Sequence, residues 1–435
     1  MKRFLALLAF IAMSITSFAY DVCVDGVYYN LNAETTEATV TYGDSEYSGA
    51  VIIPENVTCG GIEYGVTSIG RNAFYGCSSL TSITIPNSVK SIGNSLFYEC
   101  SALTSVIIGN SVTSIGEHAF YNCSALTSVT IGNSVTSIGD EAFCHCYGLT
   151  SVSIPNSVKS IGEYAFANSP EITSVIIPST IETIGDFAFQ SSSVKEVVIP
   201  NTVTHIGAYA FRYCDNLSSI DLGASITTIE KKAFHKCSNL STIVIPYTVS
   251  KIGIEAFTGT PWYDKYVSNS KNFYGNILYI NDVAYTAQNR SIINCEFKES
   301  TISIGDAAFR DCTGLSKIRL TQNITVIGEN AFENCTNLVK IYLPKDLTTI
   351  HDHAFSGCNA LNKVYNYSRA PQKITETTFE TYSNLFVVPG YEEVYSNAAF
   401  WNNFTIIGQA YDPLVENIIL DKEIYYCGVG DTVKV

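Results

Sequence analysis

"SALTSVTIGNSVTSIGDEAFCHC", residues 124–146, is preceded and followed by nearly the same run of residues. The apolar set of the unit that runs into it is Ala119, Phe120, Leu126, Val129, Ile131, Val135 and Ile138. No single helix or strand period threads all of them. "LTSVTI" alternates, with Val129 and Ile131 on one side and Ser128 and Thr130 on the other, as a strand does. The Phe-centred piece, as in "IGEHAFYNCSA", is too short for an independent helix and suits one helical or 3₁₀ turn. Pro or Gly after the strand and Gly after the second apolar pair mark corners.

Outward from this stretch, the phenylalanines keep time. Phe74, Phe97, Phe120, Phe143, Phe166 and Phe189 stand 23 residues apart. Phe211 follows after 22, and Phe234 and Phe257 restore the interval. Phe309, Phe332 and Phe355 resume it after a gap. Such a period is the mark of a repeat architecture, in which each unit buries its apolar row only against its neighbours. A chain of 435 residues would otherwise split into several domains. The expected fold is a repeat solenoid with a parallel β-sheet face, short helical or 3₁₀ turns, and β-hairpin caps.

The motif L-x-x-[IV]-x-[IL] with a trailing "IG…AF", seen in "LTSVTIGNSVTSIGDEAF", resembles the BspA-type, or Treponema-type, leucine-rich repeats of bacterial surface proteins. The resemblance covers roughly residues 50–365. It implies a leucine-rich-repeat stack and an association with surface adhesion; the spacing by itself says nothing of adhesion.

Around the repeats, residues 1–19 read as a signal peptide. Lys2 and Arg3 precede the mostly apolar Phe4–Ile15, and Ser17-Phe18-Ala19 offers small residues for cleavage after Ala19. Polar Ser14, Thr16 and Ser17 cut the run short of the about 20 apolar residues a span needs. No later segment is a span candidate, so no membrane insertion is expected. Residues 20–50 form an N-terminal β cap, with a hairpin turn at Asp25-Gly26. The solenoid occupies 51–365, interrupted at about 258–300 by "NILYINDVAYTAQ", a hairpin turning at Asn281-Asp282 and bulging from a degenerate coil. Residues 366–410 form a C-terminal cap, of which 385–408 resembles the family's terminal cap, with Tyr391, Tyr395, Phe400, Trp401 and Phe404 covering the last apolar row. Residues 411–435 resemble the opening strands of a bacterial Ig-like domain, far short of the ~100 residues such a sandwich needs.

The chain carries a formal charge of −15, and −17 without Lys2 and Arg3, leaving 23 basic against 40 acidic side chains. That balance argues against nucleic-acid partners. Nine of the 14 cysteines follow an anchor phenylalanine by three: Cys77, Cys100, Cys123, Cys146, Cys214, Cys237, Cys312, Cys335 and Cys358. Ser169, Ser192 and Thr260 hold the same slot elsewhere, so it selects small size and predicts buried free thiols rather than bridges. "CHC" at 144–146 suggests metal, but Cys146 belongs to that ladder. Adjacent coils offer only Tyr121, Asn122, Ala167 and Asn168, and no zinc set closes. His351-Asp352-His353 fits a coil surface equally well. No metalloprotease, nucleophile-elbow or phosphate-loop motif occurs, so neither an enzyme nor a cofactor is expected.

The outward strand positions, eight and ten after each phenylalanine, change character along the chain. Early coils present Ser82 and Thr84 through to Thr242 and Val244, none of them basic. After the interruption they become Lys317 and Arg319, Lys340 and Tyr342, then Lys363 and Tyr365. This basic and aromatic strip on an acidic chain is the candidate binding site. The expected role is a secreted or cell-surface, adhesin-like scaffold, monomeric, engaging an extracellular protein or glycan through its sheet face. The alternative is a structural spacer displaying a downstream domain.

Overall fold

The computed structural model describes residues 20–408. The expected signal peptide, the Ig-like tail and the last two residues of the expected C-terminal cap lie outside the described residues. The chain divides into two compact units, Met1–Asn269 and Ser270–Val435.

In the first unit each 23-residue repeat makes one coil, and each coil lays down two short strands. The Leu-Val strands pair in parallel and in register, Ser82↔Ser105↔Ser128 and Ile83↔Val106↔Val129 among them. A second ladder, built of two-residue strands that each end in Ile, runs unbroken through eight strands from Ser91–Ile92 to Lys251–Ile252. A single sheet face was expected; the structure has two. Alternation cannot reveal a strand of two residues, because its partners lie only in other coils.

The Phe segment closes the third side. Within the coil, i+3→i bonds run Ala119 N to Gly116 O, Tyr121 N to His118 O and Cys123 N to Phe120 O. They do not propagate into a 3₁₀ helix, because the residues two before and two after Phe120 are left-handed, His118 at φ 53° and Asn122 at φ 56°. The intervening amides point along the stack instead. His118 N, Phe120 N and Asn122 N donate to Asp140, Ala142 and Cys144 carbonyls of the next coil at 2.8–2.9 Å. Left-handed backbone costs an L residue roughly 1–2 kcal/mol, and the ladder satisfies every amide in return.

Inside, Phe120 stacks on Phe97 at 5.0 Å and Phe143 on Phe120 at 5.0 Å, with ring planes nearly parallel. Leu126, Ile131, Val135, Ile138 and Ala142 are buried around them, while Val129 is half-buried. Burying one such phenylalanine is worth roughly 2–3 kcal/mol, and ring pairing adds about 0.5–1.5 kcal/mol. The Gly after most of these Ile residues permits close approach: a Cβ on Gly139 would sit 2.7 Å from both Glu117 N and Gly116 C of the coil before.

At the start of this unit, five strands make one sheet: Val22–Val24, Val27–Asn32, Glu37–Thr41, Ile62–Ile69 and Asn56–Cys59 in that order. Its first hairpin turns at Asp25-Gly26, pairing Val24 with Val27. Ser48–Ile52 is already a coil strand, pairing in parallel with Ser79–Thr84. At the other end, an α-helix, Pro261–Ser268, opens with Thr260 Oγ1 accepting from Tyr263 N and sets Trp262 edge-on against Phe257 at 5.0 Å.

In the second unit the expected hairpin is Ile277–Ile280 with Val283–Ala287, turning at Asn281-Asp282. It does not bulge. All four residues of the first strand are buried, and Val283–Ala287 pairs in parallel with Ser303–Ile304, starting the ladder that continues to Thr349–Ile350. The hairpin's four successive apolar residues explain this: a bulging hairpin would leave half of them wet. The Leu-strand sheet runs Lys317–Arg319, Lys340–Leu343, Lys363–Asn366, Asn384–Val387 and Thr405–Ile407. Two of its strands thus lie beyond residue 365, and Phe379 still stacks on Phe355 at 4.8 Å. Tyr395, Trp401 and Phe404 bury themselves over the end, whereas Tyr391 and Phe400 are only half-covered. Trp401 Nε1 donates to Gln372 O at 2.8 Å and the Tyr395 hydroxyl to Ser368 O at 3.0 Å, so both rings enter the core with their polar ends satisfied.

Candidate binding surface

Parallel pairing without shift turns the six strip residues into two straight rows. Lys317, Lys340 and Lys363 are mutual register partners, and Asn384 and Thr405 continue the row. Arg319, Tyr342 and Tyr365 form the second row, followed by Phe386 and Ile407. Between the rows lie the buried Ile318, Ile341, Val364 and Leu385, which anchor each strand inward. Side chains on either side of a buried position must both face out.

The aromatic members stack. Tyr342 lies 4.7 Å from Tyr365, and Tyr365 4.6 Å from Phe386, with rings within 15° of parallel. Lys340 Nζ sits 5.9 Å from the Tyr342 ring centre, within reach of its negative face. Among the described residues, none of the four strip cations pairs with a carboxylate. Acids of the Phe turns in these coils are engaged there: Arg310 Nε meets Glu333 at 2.9 Å, and Asp306 Oδ1 accepts from Glu329 N at 2.8 Å. The two rows as far as Ile407 contain no acid, so the strip is locally cationic on an acidic chain.

The structure therefore brings all six sequence-predicted residues together on one face and adds Phe386 and Asn384. Neither is expected from the sequence, because the coil around Phe379 has lost the consensus. The surviving alternation of "NLFVVP", 384–389, with Leu385 and Val387 buried, is the signal that could have found them.

The other suggestive clusters resolve differently. In "CHC", the Cys146 thiol donates to Phe120 O at 3.3 Å, Cys144 is buried, and His145 Nδ1 lies 2.8 Å from the Tyr147 hydroxyl. Among the described residues no group of three His, Cys, Asp or Glu side chains is placed to hold a metal, and the thirteen described cysteines are free. The cysteine slot is more than a size filter. Cys100, Cys123, Cys146 and Cys237 each donate to the carbonyl of the phenylalanine one coil back, at 3.0–3.3 Å. Ser169 does the same toward Phe143 O, at 3.3 Å. The slot takes a small side chain that can donate.

A stack of three-sided coils with in-register Leu strands and a Phe spine defines a leucine-rich-repeat solenoid. The family model for the BspA type leucine rich repeat region matches in six copies, over residues 56–173, 159–284 and 278–407, and the chain belongs to that family. Proteins of this family are typically bacterial surface proteins and, in general, non-enzymatic scaffolds. Among solved structures, a leucine-rich cell surface protein from Faecalibacterium prausnitzii is 28% identical, with 82% of this chain and 96% of that one covered and a TM-score of 0.46. A leucine-rich repeat protein from Bacteroides ovatus is 25% identical, covering 85% of this chain and 100% of that one, with a TM-score of 0.32. The leucine-rich repeat protein of T. pallidum is 23% identical over 56% of this chain and 90% of its own, with a TM-score of 0.31. No curated protein matches the sequence. No helix among the described residues is long and apolar enough to cross a membrane.

Proposed function

We propose that this chain is an exported, adhesin-like scaffold that binds an extracellular macromolecule through the sheet face of its second unit. The observation that carries this reading is the pair of rows Lys317–Lys340–Lys363 and Arg319–Tyr342–Tyr365. Stacking three lysines at one-coil intervals is mildly repulsive, so fold stability does not favour the arrangement. An anionic partner relieves that repulsion and gives the unpaired cations their counter-charge. The signal-like residues 1–19 supply the route of export, and family membership agrees with a surface location.

Retention on carboxylate-bearing beads tests the reading. A chain of net charge −17 should be repelled by them unless a local cationic strip engages. The protein should be held at low salt and released near ~0.15 M, where charges are screened beyond about 8 Å. A Lys317→Ser, Lys340→Ser, Lys363→Ser variant with an unchanged circular dichroism spectrum should flow through. A spacer with no ligand of its own would flow through in both forms, and that outcome would retire the proposal.

A further inference from the structure

We infer that the occupant of this strip is an acidic glycan lying along the coil axis. The inference rests on the anionic-partner reading above and goes beyond it in naming the ligand class. Three features of the face separate a glycan from an acidic peptide.

The main chain of the strip's inner strands has nothing to offer a peptide. Lys340–Leu343 is paired on both sides, to Lys317–Arg319 and to Lys363–Asn366, and the latter is paired on to Asn384–Val387. These amides and carbonyls point along the axis into neighbouring strands, so no strand can be added on the face. Peptide recognition by strand addition, or by anchoring side chains in pockets, has only the edge strand Lys317–Arg319 to build on, at one end of the strip and not along its rows. A sugar chain needs neither, because each ring carries its own hydroxyls and, in an acidic glycan, its own carboxylate or sulfate.

The repeat length points the same way. Functional groups recur every coil, with ring separations of 4.7 and 4.6 Å. An extended peptide presents same-side residues about 6.6–6.8 Å apart and drifts out of phase within two coils.

The chemistry is also divided as a sugar acid would use it. Oxyanions can be received along the Lys317–Lys340–Lys363 row and by Arg319. The parallel row of Tyr342, Tyr365 and Phe386 stands edge-out beside it, its ring faces stacked on one another and its edges and tyrosine hydroxyls left to meet sugar hydroxyls. Lysines that merely kept an exposed sheet soluble would need no aromatic row beside them.

The test compares four immobilised polymers with the full chain: polygalacturonate (carboxylated), heparin (sulfated), dextran (neutral) and poly-L-glutamate (an acidic peptide). Binding to polygalacturonate or heparin, with dextran and poly-L-glutamate at least about tenfold weaker, is expected; which of the two is held better tells carboxylate from sulfate. A Tyr342→Ser, Tyr365→Ser variant should weaken glycan binding about tenfold, equivalent to about 1.4 kcal/mol. If that variant loses its circular dichroism signature, Tyr342→Leu, Tyr365→Leu preserves bulk and removes the aromatic edges, and the same loss is expected. Poly-L-glutamate held as tightly as the glycans, or glycan binding indifferent to the tyrosines, overturns the glycan inference and leaves the anionic strip standing. Failure to hold any of the three anionic polymers overturns both.

Discussion

The thiol of Cys123 lies 3.1 Å from the carbonyl oxygen of Phe97, one coil back, and donates to it. That oxygen also accepts the amide of Cys100 in its own coil, at 3.2 Å. The bond ties adjacent coils together deep in the core, and it recurs in the second unit from Cys335 to Phe309 O and from Cys358 to Phe332 O, both at 3.1 Å.

A donor-dependent slot has a measurable signature. Cys146→Ser keeps the donor, as Ser169 does naturally, and should cost under about 1 kcal/mol. Cys146→Ala leaves the Phe120 carbonyl one donor short and opens space, and should cost about 1–3 kcal/mol. Urea unfolding compares the two. Equal losses would reduce the slot to a matter of size.

The same burial makes the protein sensitive to alkali. Desolvation pushes the Cys214 thiol up to about 12 from its ordinary 9.0, and raises Cys146 and Cys123 as well. Above pH 9 the unfolded chain releases these protons while the folded chain keeps them. Stability is therefore full below pH 9 and falls as pH rises toward 12, by about 1.4 kcal/mol per pH unit for each buried thiol. Denaturation midpoints between pH 8 and pH 11 should show the decline. Alkylation without reductant should label these thiols only after unfolding, and a Cys77–Cys100 or Cys312–Cys335 bridge in the mass spectrum would contradict the free-thiol ladder.

Phe143→Ala removes a ring stacked between Phe120 at 5.0 Å and Phe166 at 5.4 Å. The expected loss is about 3–5 kcal/mol. Because each coil is supported only by its neighbours, hydrogen exchange should quicken first in the Phe turns of the adjoining coils. Unchanged melting would mean the stack is wrong.

Ser191 sits at φ 57°, where a side chain is a liability. Ser191→Gly should stabilise by up to about 1 kcal/mol and Ser191→Val should destabilise by more than that. Thermal melts that rank these in the opposite order would refute left-handed backbone at this turn.

Gly139 carries the reverse requirement. A methyl group there would meet main-chain atoms of Gly116 and Glu117 at 2.7 Å. Main chain cannot move aside as a side chain can, so Gly139→Ala should cost about 1–3 kcal/mol despite its lower unfolded-state entropy. A neutral or stabilising melt would show that the coils are not that close.

The sequence by itself determined the period and its direct consequences. An interval of 23 between phenylalanines, an alternating Leu-x-x-Val-x-Ile and a recurrent small residue after each Phe suffice for a solenoid with inward and outward rows. They also place Lys317, Lys340 and Lys363 in one line, because equal spacing in sequence becomes stacking in space. What only the tertiary structure decided concerns groups whose partners lie a coil away. The Ser137–Ile138 strand is too short to show alternation and exists because Ser114–Ile115 and Ser160–Ile161 flank it. The Cys slot looked like a choice of size because the Phe carbonyl it serves lies 26 residues earlier. Phe386 joins the aromatic row although its coil has lost the consensus, since Leu385 and Val387 still point inward and fix the ring outward. A local pattern can report which side of the chain is apolar. Only neighbouring coils, at about 5 Å, decide what each polar group bonds to.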